Sequence, residues 1–175
     1  TDSYTASFVG SVDVYKRQMV LHASQGNYDN TIFHRIIEDF MNQGGDIDNQ
    51  NGAGGYAAKW FGYCNGESRS SSSACEQSQW TIPDEADNGL KHGPGKIAMA
   101  KTQAENTGGS QFYIVPTGST PSHLDGVHTV FGEVTSGMPH VDAINKVETG
   151  NNDNDSSTSG DKPIDDVVLM SVSVN

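Results

Sequence analysis

The chain has 175 residues, 10 Lys and Arg against 22 Asp and Glu, and a net charge of −12. That length suits one domain with a sizeable core, and that field repels phosphate backbones and anionic lipid, which disfavours nucleic-acid and membrane-surface partners. Twenty glycines and an aromatic content of 8% suit a turn-rich β protein better than a helical bundle, and no apolar run approaches the ~20 residues of a membrane span.

Residues 1–14 alternate loosely (Tyr4, Ala6, Phe8, then Val12 and Val14), predicting a strand or hairpin with a turn at Gly10-Ser11. Residues 16–25 carry Met19, Val20 and Ala23 on one stripe, predicting a short helix that Gly26-Asn27 ends. Residues 31–37 open with Thr31, Ile32 and Phe33 and read as a strand; a Glu-Asp turn leads to a second strand, 40–43. Arg35 stands in the first of these beside His34, with Phe40, Met41 and Gln43 following. One cation among apolar and amide side chains suits a shallow pocket with a strong donor at its rim. The alternative is a core strand whose arginine reaches out to water.

Gly44 to Gly55 is glycine-rich and polar, but the spacing is wrong for a phosphate loop, and Asp46 and Asp48 lack the glycine and the closing glutamate of a calcium loop. No metal or cofactor is expected. Residues 56–87 read as a long irregular insertion holding Trp60, Trp80, a serine run and both cysteines. Cys64 and Cys75 bracket a polar loop, which suggests a disulfide staple; two free thiols in a reducing compartment is the other reading. An extracytoplasmic location follows from the first and a cytoplasmic one from the second. The chain opens at Thr1, so the absence of a leader says nothing of compartment.

Strands are predicted at 96–100, 110–115 and 129–134, and a helix at 136–147 with Met138, Val141 and Ile144 on one face. Residues 150–162 are an Asn/Asp/Ser run read as a flexible loop. A last strand, 166–174, shows Val168, Met170, Val172 and Val174 in strict alternation. Strands not interleaved with helices predict one antiparallel barrel domain over 1–175, with helices covering its ends.

Several segments resemble one family. Phe33-His34-Arg35-Ile36-Ile37 with Phe40-Met41-Asn42-Gln43-Gly44-Gly45-Asp46 resembles the signature of the cyclophilins. So do Asn51-Gly52-Ala53-Gly54-Gly55, Gly95-Lys96-Ile97-Ala98-Met99-Ala100, Gly109-Ser110-Gln111-Phe112-Tyr113-Ile114, Leu124-Asp125-Gly126-Val127-His128 and Val130-Phe131-Gly132-Glu133-Val134, in the family's order. Residues 82–90 and 96–101 look closer to prokaryotic members. The resemblance implies a mainly β fold, a closed eight-stranded antiparallel barrel capped by two α-helices. It implies peptidyl-prolyl cis–trans isomerase activity on proline-containing peptides and unfolded proteins, by a monomer without cofactor.

Carried over residue by residue, Arg35 matches the catalytic arginine, with Phe40, Gln43 and His128 beside it. Phe40, Met41, Tyr113 and Leu124 match the proline pocket, and Gln43 and Gln111 the substrate-contacting amides. Ala100, Lys101 and Thr102 match the edge that pairs with substrate backbone; His34, Gly52 and His123 fall on further substrate-binding positions. Four departures stand out. His123 stands where many eukaryotic members carry tryptophan, which implies weak cyclosporin binding. Tyr113 replaces a more usual phenylalanine, and its hydroxyl needs a partner. Lys101 replaces a frequent asparagine. Residues 11–22 fit no family pattern.

Overall fold

β-Branched and aromatic runs separated by glycine turns build a mainly β fold with two helices. The computed structural model describes residues 3–150 and 160–174. In chain order the elements are β1 (Thr5–Phe8), α1 (Asp13–Ser24), β2 (Thr31–Ile32), β3 (Arg35–Ile37), β4 (Met41–Gly44), β5 (Tyr63–Cys64), β6 (Glu67–Ser68) and β7 (Trp80–Thr81). Then come β8 (Lys96–Met99), β9 (Phe112–Ile114), β10 (Val130–Ser136), α2 (Met138–Asn145) and β11 (Val168–Leu169). A six-stranded antiparallel sheet runs β1-β10-β8-β9-β4-β3, β11 pairs with β2, and β6-β5-β7 form a separate three-stranded sheet.

Period-two alternation sorts the core. On β8 and β9, Ile97, Met99, Phe112 and Ile114 join one cluster with Val12, Tyr15, Tyr28, Phe33, Ile36, Phe131 and Val141. Ala98, Ala100, Tyr113 and Val115 face the other way and join Met41 and Val130. Both faces of these central strands are therefore buried.

Four sequence expectations change. The strand expected over 31–37 is broken, because the chain changes partner at Phe33: β2 pairs with β11 and β3 with β4, while the Phe33 N–H donates to Val167 O at 2.9 Å. Val12 and Val14 do not return as a strand. Val12 is buried at the start of α1, and Asp13 in the first turn suits the helix dipole. The buried face of α1 is Tyr15, Gln18, His22 and Ala23, so two polar residues escaped a hydropathy stripe drawn through Met19 and Val20. The last strand is shorter than expected and its inward set differs. Val167, Leu169 and Val172 pack on the core, whereas Val168, Met170 and Val174 are exposed. The expected loop 150–162 lies largely outside the described residues; its ends meet, Gly150 N–H donating to Lys162 O at 3.0 Å.

The insertion is not irregular at its base. β5 pairs with both β6 and β7, and the aromatic base packs: Trp60 and Trp80 lie edge to face at 5.7 Å, and Phe61 and Trp80 reach the main core. Cys64 and Cys75 are disulfide-bonded, and the Trp80 indole N–H donates to Cys75 O at 3.0 Å. Closing a loop of this length removes about 2–3 kcal/mol of unfolded-state freedom in the chain-entropy model. Cys64→Ser/Cys75→Ser should therefore unfold at a lower temperature than the oxidised chain, alongside reduced wild type, with turnover nearly intact. Equal melting temperatures would show that the staple adds nothing.

Candidate functional site

Antiparallel register sets Arg35 opposite Gln43, and Gln43 opposite Tyr113, so the three side chains share one face of the sheet. A polar row crosses that face. The Asp161 carboxylate accepts from Arg35 Nε at 3.1 Å, and Gln43 Oε1 lies 3.4 Å from Arg35 Nη1. Gln43 Nε2 donates to Gln111 Oε1 at 2.9 Å, and Gln111 Nε2 donates to the carbonyls of Gly52 (3.0 Å) and Gly54 (2.7 Å). Each amide is thus oriented by both neighbours. The Arg35 side chain stays 40% exposed, its guanidinium at the water boundary.

Beside this row lies an apolar patch. Met41 and Tyr113 are buried in the second cluster, with Phe40 and Leu124 packed on it. A 3-10 turn, Ser122–Leu124, forms its rim: the exposed His123 ring stacks on Phe40 at 5.7 Å. His128 meets Tyr113 edge to face at 5.8 Å, with Nδ1 3.0 Å from Met99 O.

The loop that presents Gly52 and Gly54 is wrapped around one carboxylate. Asp46 is fully buried and accepts the backbone N–H groups of Asn49, Asn51, Gly52 and Gly54 at 2.8–3.2 Å. Burial pushes Asp46 upward, but hydrogen bonds from Asp48, Asn49, Gly54 and Gly52 outweigh it and hold the carboxyl below its usual range. Asp48 moves the opposite way, raised by burial and by its Asp46 neighbour. A side chain on Gly54 would put Cβ 2.1 Å from Asp48 Oδ1, which explains the glycine.

His34 is buried beneath this loop, and neither ring nitrogen has a hydrogen-bond partner among the described residues. Burial lowers its pKa; Asp46 opposes, the Arg35 charge adds, and Gln111 opposes. Burial also leads in lowering His22, His92 and His128, against opposing hydrogen bonds to Tyr56, Asp125 and Met99. The unfolded chain therefore binds more protons than the folded one below the ordinary histidine value of about 6.5. Stability is complete above that value and is lost as pH falls through the lowered folded values, by about 1.4 kcal/mol per pH unit for each histidine that stays neutral. The melting temperature should fall between about pH 7.5 and pH 5.5 and level off above; a flat profile would contradict neutral buried histidines.

The structure brings Arg35, Phe40, Met41, Gln43, Gln111, Tyr113, His123, Leu124 and His128 to one face, with His34 and Gly52 behind it. Ala100 continues from β8, its N–H donating to Gln111 O at 3.0 Å, and Thr102 is exposed, its hydroxyl 2.8 Å from that of Thr107. The Lys101 side chain turns away: it is 4% exposed and pairs with Asp84 at 3.2 Å, so only its backbone can offer anything to a ligand. Sequence reasoning missed Asp161, which lies at the end of a low-complexity run with nothing to mark it. It considered Asp46 only as a calcium ligand, although an aspartate ahead of a glycine-rich turn is also the pattern of an anchor for backbone N–H groups.

The family model for the cyclophilin type peptidyl-prolyl cis-trans isomerases matches residues 12–174. The chain is 39% identical over 155 residues to peptidyl-prolyl cis-trans isomerase cypE of Dictyostelium discoideum, covering 87% of this chain and 78% of that protein. It is 39% identical over 151 residues to peptidyl-prolyl cis-trans isomerase-like 1 of Gibberella zeae, covering 86% and 74%. In fold it resembles a Cryptosporidium parvum cyclophilin type isomerase crystallised in the presence of the dipeptide Ala-Pro, with a TM-score of 0.73 at 24% identity over 97% of this chain and 92% of that one. On the match across nearly its whole length, the chain belongs to the cyclophilin-type peptidyl-prolyl cis-trans isomerase family.

Proposed function

We propose that the site rotates X–Pro peptide bonds by stabilising the twisted amide with Arg35. The observation that carries this is the row Asp161–Arg35–Gln43–Gln111 along the edge of the Phe40, Met41, Tyr113 and Leu124 patch. An X–Pro bond turns slowly because amide resonance sets a barrier of ~20 kcal/mol. At the twisted state the prolyl nitrogen loses resonance and gains a lone pair. A guanidinium donor near that nitrogen stabilises the twisted state more than either planar one. With Nε engaged by Asp161 and Nη1 by Gln43, Arg35 keeps further N–H groups for the substrate. The apolar patch holds the ring, Gln43 and Gln111 hold its neighbours, and the edge at Ala100, Lys101 and Thr102 takes the peptide backbone. His34, Gly52, His123 and His128 complete the walls.

The partners in this reading are proline-containing peptides and unfolded proteins, met by a monomer; the Ala-Pro dipeptide used with the Cryptosporidium protein is of that class. Six sheet strands plus β2 and β11 make the eight strands outside the insertion, and we read them as one closed barrel. The disulfide fits an oxidising, extracytoplasmic setting. Isomerisation is tested by NMR exchange or a protease-coupled assay on an X–Pro peptide. Catalysed interconversion is expected; binding without turnover would leave only a proline-binding module. Cyclosporin should bind weakly, because His123 offers less apolar area than an indole and no indole N–H. His123→Trp should tighten a cyclosporin titration, and an unchanged affinity would remove that position from the drug's contacts.

A further inference from the structure

The tyrosine of the apolar patch carries a hydroxyl that the patch cannot satisfy. Tyr113 is 4% exposed, and its hydroxyl oxygen lies 2.7 Å from His92 Nε2. The His92 side chain is fully buried, its ring nearly parallel to that of Tyr113 (10°, centroids 5.9 Å apart). Its Nδ1 lies 2.9 Å from Asp125 Oδ1, which also accepts the His92 backbone N–H at 2.8 Å.

Chemistry fixes the proton positions. An ionised carboxylate only accepts, so Nδ1 carries the hydrogen toward Asp125. A neutral ring then has a bare Nε2, and the Tyr113 hydroxyl donates to it. The chain Tyr113–His92–Asp125 is complete, so the hydroxyl needs no water in the patch. It also joins two walls. Tyr113 belongs to β9, while Asp125 follows Leu124 and His123, and its N–H donates to Ser122 O at 3.2 Å, closing the rim turn. His92 belongs to neither wall and bridges both.

We propose that His92 is a positioning residue for the isomerase reaction. It holds the Tyr113 ring in the proline pocket and, through Asp125, fixes the Ser122–Leu124 rim against that ring. This rests on the reading of Tyr113 as part of the proline pocket. The groups facing His92 are Asp125, Lys91, His123, His128 and Tyr113. Of these, Tyr113 alone both bonds Nε2 and belongs to the patch.

The test compares two replacements, each in two backgrounds. His92→Asn keeps an amide near Nδ1 and loses the reach to Tyr113; His92→Gln carries its amide out to the position of Nε2. Peptide Kd and the bound-state exchange rate are read by NMR on an X–Pro peptide. His92→Asn should raise Kd about three- to tenfold, with the bound-state exchange rate changed less than about twofold, because a buried hydroxyl is stranded at the binding surface. His92→Gln should restore most of that affinity. In a Tyr113→Phe background there is no hydroxyl to strand, and the effect of His92→Asn should shrink toward none.

Equal factors in the two backgrounds, no change with His92→Asn, or no rescue by His92→Gln would each overturn the proposal. If His92→Asn fails to fold, Asp125→Ala, which removes the acceptor of both His92 N–H groups, reads the same chain: it should weaken binding with Tyr113 present and not with Tyr113→Phe, and equal effects would overturn the role. A titration of Tyr113→Ala separates the two levels of inference. Unchanged affinity there removes Tyr113 from the pocket and the proposal with it. Weakened affinity with additive His92 effects leaves the pocket and rejects His92 alone.

Discussion

Arg35→Ala should fold at nearly the wild-type melting temperature and lose about 10²-fold in kcat/KM, the usual cost of removing one donor aimed at developing charge. Stability should hold because the side chain is 40% exposed, so truncation opens no cavity, and its ion pair with Asp161 is screened by water. Activity should fall because Arg35 is the one cation of the row: Gln43 donates to Gln111, Gln111 donates to the Gly52 and Gly54 carbonyls, and neither amide brings a charge to the prolyl nitrogen. Arg35→Lys should sit between the two, keeping charge without the planar fork that engages Asp161 and Gln43 together. Rates and thermal unfolding are measured on the same sample. Activity of Arg35→Ala within about threefold of wild type, roughly 0.7 kcal/mol in barrier, rejects the role.

Asp46→Ala should cost both stability and activity. Four backbone N–H groups converge on this buried carboxylate, and some stay shut away from water when it is removed. At about 1–3 kcal/mol for an unmatched buried donor, a net loss of about 2–4 kcal/mol is expected once solvent reaches the outer ones. Asp46→Asn keeps the size but puts an amide N–H among donors, so it should recover little. Activity should fall even where the protein stays folded, because the Gly52 and Gly54 carbonyls that fix Gln111 belong to this loop. Amide hydrogen exchange is the discriminating measurement: faster exchange confined to residues 46–55 and the Gln111 side chain is expected. Unchanged protection there would show that the loop holds its shape without the carboxylate.

In the apolar half of the site, Phe40 and Met41 were legible beside Arg35 from the residues alone, whereas Tyr113 and Leu124 were legible only by resemblance. In the structure, strand alternation on β8 and β9 brings Tyr113 to the same face as Ala98 and Ala100, against Met41. In the polar half, Arg35 and Gln43 stood out as a cation and an amide beside apolar residues, and Gln111 was legible only by resemblance. Nothing in the spacing of Arg35, Gln43 and Gln111 says they touch, since their contact comes from the β3–β4–β9 register. Asp161, His92 and Asp125 were illegible as site residues, being polar residues in loops whose partners are set by tertiary approach. The break between β2 and β3 was hidden for a related reason: a strand that changes partner keeps its local propensity throughout. On α1, hydropathy pointed at Met19 and Val20, yet the helix buries Gln18 and His22. Both are satisfied there, Gln18 by Gly109 O and Ala58 N–H and His22 by Tyr56 O. A buried polar residue with a full set of partners is invisible to any scale that treats polarity as exposure.

The pairing of β2 with β11 and of β1 with β10 carries a consequence for synthesis. Both join early segments to segments more than 120 residues later, and Arg35 meets its carboxylate partner across 126 residues of sequence. A nascent chain emerging from the ribosome cannot pair β1 before β10 is out, or β2 before β11 is out, so both wait as unpaired edges. High contact order of this kind makes for slow folding. It also means the guanidinium acquires its fixed orientation only once the chain has emerged through Asp161. The site is assembled by contacts that span most of this domain, not by its first segments alone.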